Sequence, residues 1–115
     1  MDHEKHLPLA PRDLLILSVL AEGPLHGYGL IKAVEARSQA GVFLDPANLY
    51  RVLRRMTRLA WIKEAGTETR RKSYEITRNG RILLASEIAR LERLLQHVRP
   101  ALAEGPTSAG KGRRG

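Results

Sequence analysis

Hydrophobic positions recur at helical spacing in the first half of this chain and at strand spacing in a short region after it. The first apolar run, RDLLILSVLAEG, predicts a short helix that stops at the breaker pair Gly23-Pro24. The second run, LHGYGLIKAVEARSQAG, predicts a helix that ends near Gly41. The predicted inner side of this second helix consists of Tyr28, Ile31 and either Val34 or Leu30.

A third helix is predicted to begin at Asp45, a favoured N-cap residue, with Pro46 at the first helical position. At about 100° per residue, its apolar side chains fall within an arc of roughly 120°. They are Leu49, Val52, Leu53, Met56, Leu59 and Ala60. The opposite side carries Arg51, Arg54, Arg55 and Arg58. Because arginines four positions apart repel each other and no carboxylate lies among them, this face favours contact with a polyanion over simple solvation.

The periodicity then changes to alternation, which predicts a β-hairpin. Its strands are WIKEA and RKSYEIT, joined by the turn GTETR, and Tyr74 and Ile76 share one face. Three short helices followed by a hairpin is the element order of a winged helix-turn-helix. In that layout the third helix enters the major groove of DNA and the hairpin, or wing, lies along the backbone.

A last helix, capped by Thr77, is predicted to run to about Arg99, before Pro100. Its apolar residues recur at steps of 4, 3, 4 and 3 in the series Leu84, Ile88, Leu91, Leu95 and Val98. We expect this seam to pair with a second copy of the chain, because the helix outreaches the small domain. The alternative is packing onto its own domain, since about two heptads are short for a coiled coil.

The predicted fold class is mainly α with a small β-hairpin, arranged as a winged helix-turn-helix plus a long C-terminal dimerisation helix. Four parts follow from these patterns. They are a flexible N-terminal segment at 1–10, a winged-helix DNA-binding domain at 11–77, a dimerisation helix at 78–99 and a disordered basic tail at 100–115.

Charge indicates an anionic partner. The formal net charge of the 115 residues is +8, which points to nucleic acid or a membrane surface. No apolar run approaches the roughly 18 residues of a transmembrane helix, and no signal peptide is apparent, so we expect a soluble cytoplasmic protein that binds no membrane. The absence of cysteine excludes disulfides and thiolate metal sites and is typical of a reducing compartment.

Candidate DNA contacts divide into those to bases and those to phosphates. Asn48 and Arg51 lie in the N-terminal half of the third helix and are candidates for base edges, since Asn pairs naturally with adenine and Arg with guanine. Arg55 and Arg58 are expected to meet phosphates, and Arg54 belongs to the same face. The predicted wing adds Arg70, Arg71 and Lys72.

Three motifs in order resemble the PadR family of bacterial transcriptional regulators over roughly residues 12 to 90. They are Pro-Leu-His-Gly-Tyr at 24–28, Leu49-Tyr50 in the third helix, and the segment from Tyr74 to Gly80. The resemblance implies a homodimeric winged-helix repressor that binds double-stranded DNA at a palindromic promoter site and is released by a small molecule or another signal. The single C-terminal helix is similar to that of the short-form members. Tyr50 becomes an expected phosphate or sugar contact, with half-buried packing as the alternative.

The chain departs from the family pattern at three positions. Ala60 stands where the family usually has glycine after the recognition helix, so a left-handed cap there would be strained. Trp61 replaces a smaller aliphatic residue, and Asn48 replaces a small hydroxyl residue. Trp61 is also a weak candidate for stacking on an effector, although core or interface packing is the preferred interpretation.

No residue constellation indicates an enzyme, a cofactor or a metal site. His26 lacks neighbours at ligand spacing, and helix capping or phosphate contact is the better interpretation. His3 and His6 form an isolated HxxH pair. Two rival functions remain: a winged-helix module that docks an acidic protein, and an RNA-binding domain. The scattered aromatic residues do not form the stacking platform expected for single strands.

Overall fold

The structure is a computed structural model that describes residues 5–39, 41, 44–66 and 72–103. It is mainly helical, with a small antiparallel sheet of three strands in the order β1-β3-β2. Its elements are α1 Pro11–Leu20, β1 Leu25–His26, α2 Gly27–Arg37, α3 Pro46–Arg58, β2 Ile62–Ala65, β3 Ser73–Ile76 and α4 Arg78–Ala103.

The sheet contains the predicted hairpin and one strand that was not predicted. β2 and β3 pair antiparallel, with Ile62 opposite Ile76. Tyr74 and Ile76 are both buried, as their alternation predicted. The additional strand, β1, places Leu25 opposite Tyr74. With two residues, β1 is too short to produce an alternating pattern, so the sequence carries no signal for it.

α1, α2 and α3 pack around one apolar core, which the base of the sheet and the start of α4 complete. Leu30 and Val34 are the fully buried side chains of α2. The prediction that Tyr28 lies on the inner side is wrong, because its side chain is 68% exposed. Tyr28 lies two residues before Leu30, or about 200° away around the helix, and therefore points to solvent.

The predicted helix starts at Asp45 and Thr77 are confirmed. The Asp45 carboxylate accepts a hydrogen bond from the backbone N–H of Ala47 at 3.1 Å, and Pro46 occupies the first turn. The Thr77 hydroxyl accepts from the N–H of Gly80 at 3.0 Å and also lies 2.5 Å from the carbonyl oxygen of Ala60. Thr77 thus joins the end of α3 to the start of α4.

α3 ends in a Schellman motif built on alanine. The N–H of Trp61 donates to the carbonyl of Met56 at 2.9 Å, and the N–H of Ala60 donates to that of Thr57 at 3.0 Å. Ala60 has φ +65, the left-handed conformation that glycine adopts without steric cost. The strained cap expected from the sequence is therefore present.

Both ends of the domain differ from the prediction. Residues 5–10 are not a loose segment: Leu9 is buried, and its N–H donates to Oε2 of Glu87 at 2.9 Å. α4 continues past the predicted end at Arg99 and includes Pro100, reaching Ala103. The predicted tail beyond that point lies outside the described residues.

Glu87 is a buried carboxylate on α4, only 1% exposed. Arg90 donates to both of its oxygens, at 2.6 and 2.8 Å. This pair of hydrogen bonds holds the pKa of Glu87 below its ordinary value, although burial alone would raise it. The N-terminal segment is thereby attached to an ionised group on α4.

Candidate nucleic-acid interface

The outer face of α3 presents three exposed arginines, Arg51, Arg54 and Arg58. Leu49, Val52, Leu53 and Met56 on the opposite face are buried, and this fixes the arginines toward solvent. Neither Arg54 nor Arg58 forms a hydrogen bond or ion pair with any residue that the structure describes.

Asn48 and Arg51 lie together at the start of this face. The Arg51 guanidinium donates to the amide oxygen of Asn48 one turn earlier, and both side chains are exposed. The two predicted base-reading residues therefore form one polar unit at the N-terminal end of α3.

Arg55 differs from its three neighbours. Its Nη2 lies 2.5 Å from Oδ2 of Asp13, a buried residue of α1, and its guanidinium lies 5.5 Å from the centre of the Trp61 ring. The sequence interpretation that no carboxylate compensates these arginines is wrong at Arg55. The compensating residue lies 42 positions earlier, beyond the reach of any helical pattern. Arg55 is thus tied to α1, while its side chain stays 37% exposed and its contact with phosphate remains a prediction.

Tyr50 lies half-exposed beside the start of α2. A Cβ added to Gly27 would lie 2.5 Å from the Tyr50 hydroxyl oxygen, so the absence of a side chain at Gly27 makes room for the ring. His26 holds the N-cap position of α2, but its side chain makes no capping hydrogen bond. The predicted side-chain cap at His26 is therefore wrong, and contact with phosphate remains a prediction for both residues.

The hairpin carries two ion pairs on opposite faces. Lys72 Nζ lies 3.4 Å from a carboxylate oxygen of Glu64, and Lys63 Nζ lies 3.5 Å from one of Glu75. Glu64 is the cross-strand partner of Tyr74, and Lys63 is that of Glu75, so alternation separates the pairs. Of the predicted wing cations, Lys72 is exposed, whereas Arg70 and Arg71 lie outside the described residues.

A cleft of about 640 Å³ lies between α3 and the hairpin, lined by both elements. Its charged residues are the cations Arg54, Arg58 and Lys72 and the carboxylate Glu64. We refer to this space as the α3–hairpin cleft. Two arginines of α3 and one lysine of the hairpin therefore line the same cleft.

Hydroxyl groups complete the α3–hairpin cleft, from Tyr50, Thr57 and Tyr74. Burial raises the pKa of Tyr74 above its ordinary value, the Lys72 cation opposes this rise and the Glu64 carboxylate adds to it. The phenol of Tyr74 is therefore a neutral hydrogen-bond donor at physiological pH. The sequence interpretation missed Glu64 and Thr57. The only signal for Glu64 is its place two residues after buried Ile62 on the alternating strand.

The first half of α4 buries one side against the domain, whereas from Glu92 to Leu102 every residue is exposed. Leu84 is 8% exposed and belongs to the core of its own domain, so its assignment to the dimer seam is wrong. Beyond it an apolar stripe continues on the same side of the helix, within an arc of about 120°. The apolar stripe consists of Ile88, Leu91, Leu94, Leu95, Val98 and Leu102. All of these except Leu91 are exposed large hydrophobic residues.

Trp61 lies in the core, with 4% of its surface exposed. Arg55 covers its ring, and His6 meets it edge-on at 5.3 Å between ring centroids. This is the packing role preferred from the sequence, and it leaves no open ring face for an effector. His3 lies outside the described residues.

Within residues 5–39, 41, 44–66 and 72–103, no group of three or more His, Asp or Glu side chains could hold a metal ion. No helix in this part of the chain is long and apolar enough to cross a membrane.

Three helices, a hairpin beside the third helix and an exposed basic surface between them define a winged helix-turn-helix protein. Residues 16–86 match the transcriptional regulator PadR-like family. This region covers more than half of the chain, and the protein belongs to this family of transcriptional regulators.

Individual relatives agree with this assignment. An uncharacterized 37.1 kDa protein in transposon TN4556 of Streptomyces fradiae is 36% identical over 85 residues, which are 74% of this chain and 24% of that protein. The chain thus spans about a quarter of the length of that relative.

Two solved structures share the fold. A transcriptional regulator from Clostridium thermocellum has a TM-score of 0.68 at 27% identity, covering 79% of this chain and 89% of that one. Bacillus subtilis PadR, solved in complex with operator DNA, has a TM-score of 0.61 at 22% identity, covering 70% of this chain and 48% of that one.

Proposed function

We propose that this protein is a homodimeric transcriptional repressor that binds a palindromic promoter site in double-stranded DNA through α3. The observation that carries the proposal is the exposed arginine face of α3, continuous with the α3–hairpin cleft and Lys72. Cations on two elements that border one cleft can contact a single duplex together. The operator complex of Bacillus subtilis PadR supports the same use of this fold.

Within α3, base reading belongs to the N-terminal end. Asn48 and Arg51 are exposed and hydrogen-bonded to each other, which restricts their side chains before DNA arrives. Arg58 lies seven residues beyond Arg51, or about 10 Å along the helix, and is placed to meet the backbone. Arg54 lies between them and borders the cleft.

The proposed dimer forms on the apolar stripe of α4. Five exposed large hydrophobic side chains on one side of a single helix are an unfavourable surface for an isolated chain. A second copy brings an identical stripe, and pairing the two buries both. Two copies related by a twofold axis would present two α3 helices to a palindromic site.

Release of the repressor by a small-molecule effector remains part of the proposal. It follows from the family resemblance, and Trp61 is not assigned to it because its ring is already covered.

The test is fluorescence anisotropy with a labelled duplex from the protein's own promoter region and a scrambled duplex, each at several salt concentrations. We expect tighter binding to the promoter duplex and a linear fall of log K with log salt for both. Arg54→Ala/Arg58→Ala should weaken both, whereas Arg93→Ala on the exposed side of α4 away from the apolar stripe should change little. Salt-independent binding, or stronger binding to an acidic protein or to RNA, would overturn the proposal.

A further inference from the structure

Glu64 is the one carboxylate lining the α3–hairpin cleft among the residues that the structure describes. Glu64 lies opposite Tyr74 in the sheet register, on the same face of the hairpin as buried Ile62 and Ile76. Its side chain therefore projects toward α3 rather than toward the outer face of the hairpin. A carboxylate is unexpected in a space that otherwise offers cations and hydroxyls.

The other groups of the α3–hairpin cleft match the chemistry of a phosphate. Arg54, Arg58 and Lys72 supply positive charge, and Tyr74 supplies a neutral hydroxyl donor. Guanidinium groups and hydroxyls are the usual protein partners of DNA backbone oxygens. The cleft is open and lies between the two elements that the proposed function brings to the duplex.

One of these cations already has an anionic partner, because a carboxylate oxygen of Glu64 lies 3.4 Å from Lys72 Nζ. Both side chains are more than half exposed, at 55% and 67%. An ion pair this exposed is weak and is readily exchanged for another anion. Lys72 is therefore available to a phosphate, but only in competition with Glu64.

We propose that the α3–hairpin cleft receives one DNA backbone phosphate and that Glu64 competes with this phosphate for Lys72. Glu64 thereby lowers the affinity of the protein for DNA of any sequence. This inference rests on the proposed function, since it concerns the same interface. It gives the repressor a built-in limit on non-specific binding, which depends almost wholly on charge.

The test compares Glu64→Gln with Glu75→Gln. Both variants remove one negative charge from the same hairpin, but Glu75 pairs with Lys63 on the opposite face. Glu64→Gln should tighten binding to promoter and scrambled duplexes alike, by about 2- to 5-fold for each protomer in contact. The plot of log K against log salt should steepen by about one unit per protomer. Glu75→Gln should produce a smaller change in affinity and no change in slope.

Lys72→Gln identifies the group through which Glu64 acts. In a Lys72→Gln background, Glu64→Gln should give less than half of its gain, because no lysine remains to be released. An undiminished gain in that background would overturn the competition for Lys72. Equal effects of Glu64→Gln and Glu75→Gln would overturn the whole inference, since net charge alone would then explain them.

These outcomes are separable from failure of the proposed function. If the wild-type protein binds no duplex DNA with a salt dependence, the proposed function fails. If it binds and loses affinity on Arg54→Ala/Arg58→Ala, that function holds even where Glu64→Gln has no effect. Circular dichroism spectra of all variants check that the hairpin substitutions leave the fold intact.

Discussion

Asp13 of α1 and Arg55 of α3 form an ion pair of 2.5 Å that neutralises one arginine of the recognition helix. The Asp13 side chain is only 7% exposed and has Arg12 Nε at 3.3 Å as a second cation. Since a desolvated carboxylate without its partners is costly, this contact fixes α3 against α1. Arg55 thus contributes to the fold, whereas Arg54 and Arg58 form no hydrogen bond or ion pair with the residues that the structure describes.

Asp13→Asn should lower the free energy of unfolding by about 1–3 kcal/mol, because Arg55 loses a charged hydrogen bond in a partly buried position. Urea denaturation followed by circular dichroism measures this change. Arg12→Gln is the matched control and should change stability by less than about 0.5 kcal/mol, since its contact with Asp13 is the longer of the two, at 3.3 Å. Equal losses of stability in the two variants would contradict the prediction that the Asp13–Arg55 contact stabilises the fold more than the Asp13–Arg12 contact.

Ala60→Gly should raise the free energy of unfolding by about 0.5–1 kcal/mol. Relief of the left-handed strain, about 1–2 kcal/mol, exceeds the added chain entropy of glycine, about 0.4–1 kcal/mol. Gly66→Ala tests the same rule in reverse, because Gly66 has φ +76 and an added Cβ would meet no atom within 4 Å. It should destabilise. Thermal and urea unfolding of both variants check the signs, and a destabilised Ala60→Gly protein would contradict the strain argument.

Leu95→Asp should convert the dimer into monomers that bind operator DNA poorly. Leu95 is 46% exposed in a single chain, so the new charge should leave the monomer folded while preventing burial of the apolar stripe. Sedimentation velocity measures the change. Gln96→Asp places the same charge on the neighbouring exposed position outside the stripe and should remain dimeric. A dimeric Leu95→Asp protein would place the interface elsewhere.

Arg51→Ala and Arg58→Ala should differ in kind. Loss of a bidentate base contact at Arg51 should cost about 1–3 kcal/mol and relax preference at one base pair in each half-site. Loss of a phosphate contact at Arg58 should weaken all sequences alike. Binding to a panel of single-base operator variants distinguishes the two, with changes mirrored about the operator centre. If Arg51→Ala leaves the base preference unchanged, the base-reading residues do not lie at the N-terminal end of α3.

Glu87→Gln should destabilise the protein at pH 7 by about 1–3 kcal/mol, because the charged hydrogen bonds to Arg90 are lost. The pKa of Glu87 is depressed in the folded state, so its stabilising effect is complete above the ordinary value of 4.5 and is lost as pH falls through the lower folded value. The stability difference between wild type and Glu87→Gln should therefore shrink below pH 4.5. Urea titrations at several pH values measure it, and a constant difference would contradict this role.

Local signals predicted most of the fold. Asp45, Pro46 and Thr77 set helix starts within a few residues, and the predicted apolar arc of α3 is buried from Leu49 to Met56, whereas Ala60 lies beyond the helix and is exposed. The alternation of Tyr74 and Ile76 likewise needs only neighbouring positions. Such features depend on the backbone period alone and can be read before any tertiary contact is known.

The missed features depend on residues far apart in the chain. Leu9 and Glu87 meet across 78 positions, so residues 1–10 gave no indication that part of them packs on α4. Leu84 follows the same heptad steps as Leu95, yet one is covered by the domain and the other is not. Periodicity identifies an apolar side of a helix but does not say which partner covers it.

The Thr77 hydroxyl donates to the carbonyl oxygens of Ala60 and Trp61, which follow α3, and accepts from the N–H of Gly80 in the first turn of α4. α4 is about 39 Å long at 1.5 Å per residue, and its apolar stripe lies on the far half. Thr77, the core residue Leu84 and the Glu87–Leu9 hydrogen bond together fix the first half of α4 to the domain. Over such a length, a difference of about 10° in the angle at which the domain holds α4 would move the apolar stripe by several ångströms. In the proposed dimer, the distance between the two α3 helices would therefore depend on the angle at which each domain holds its α4.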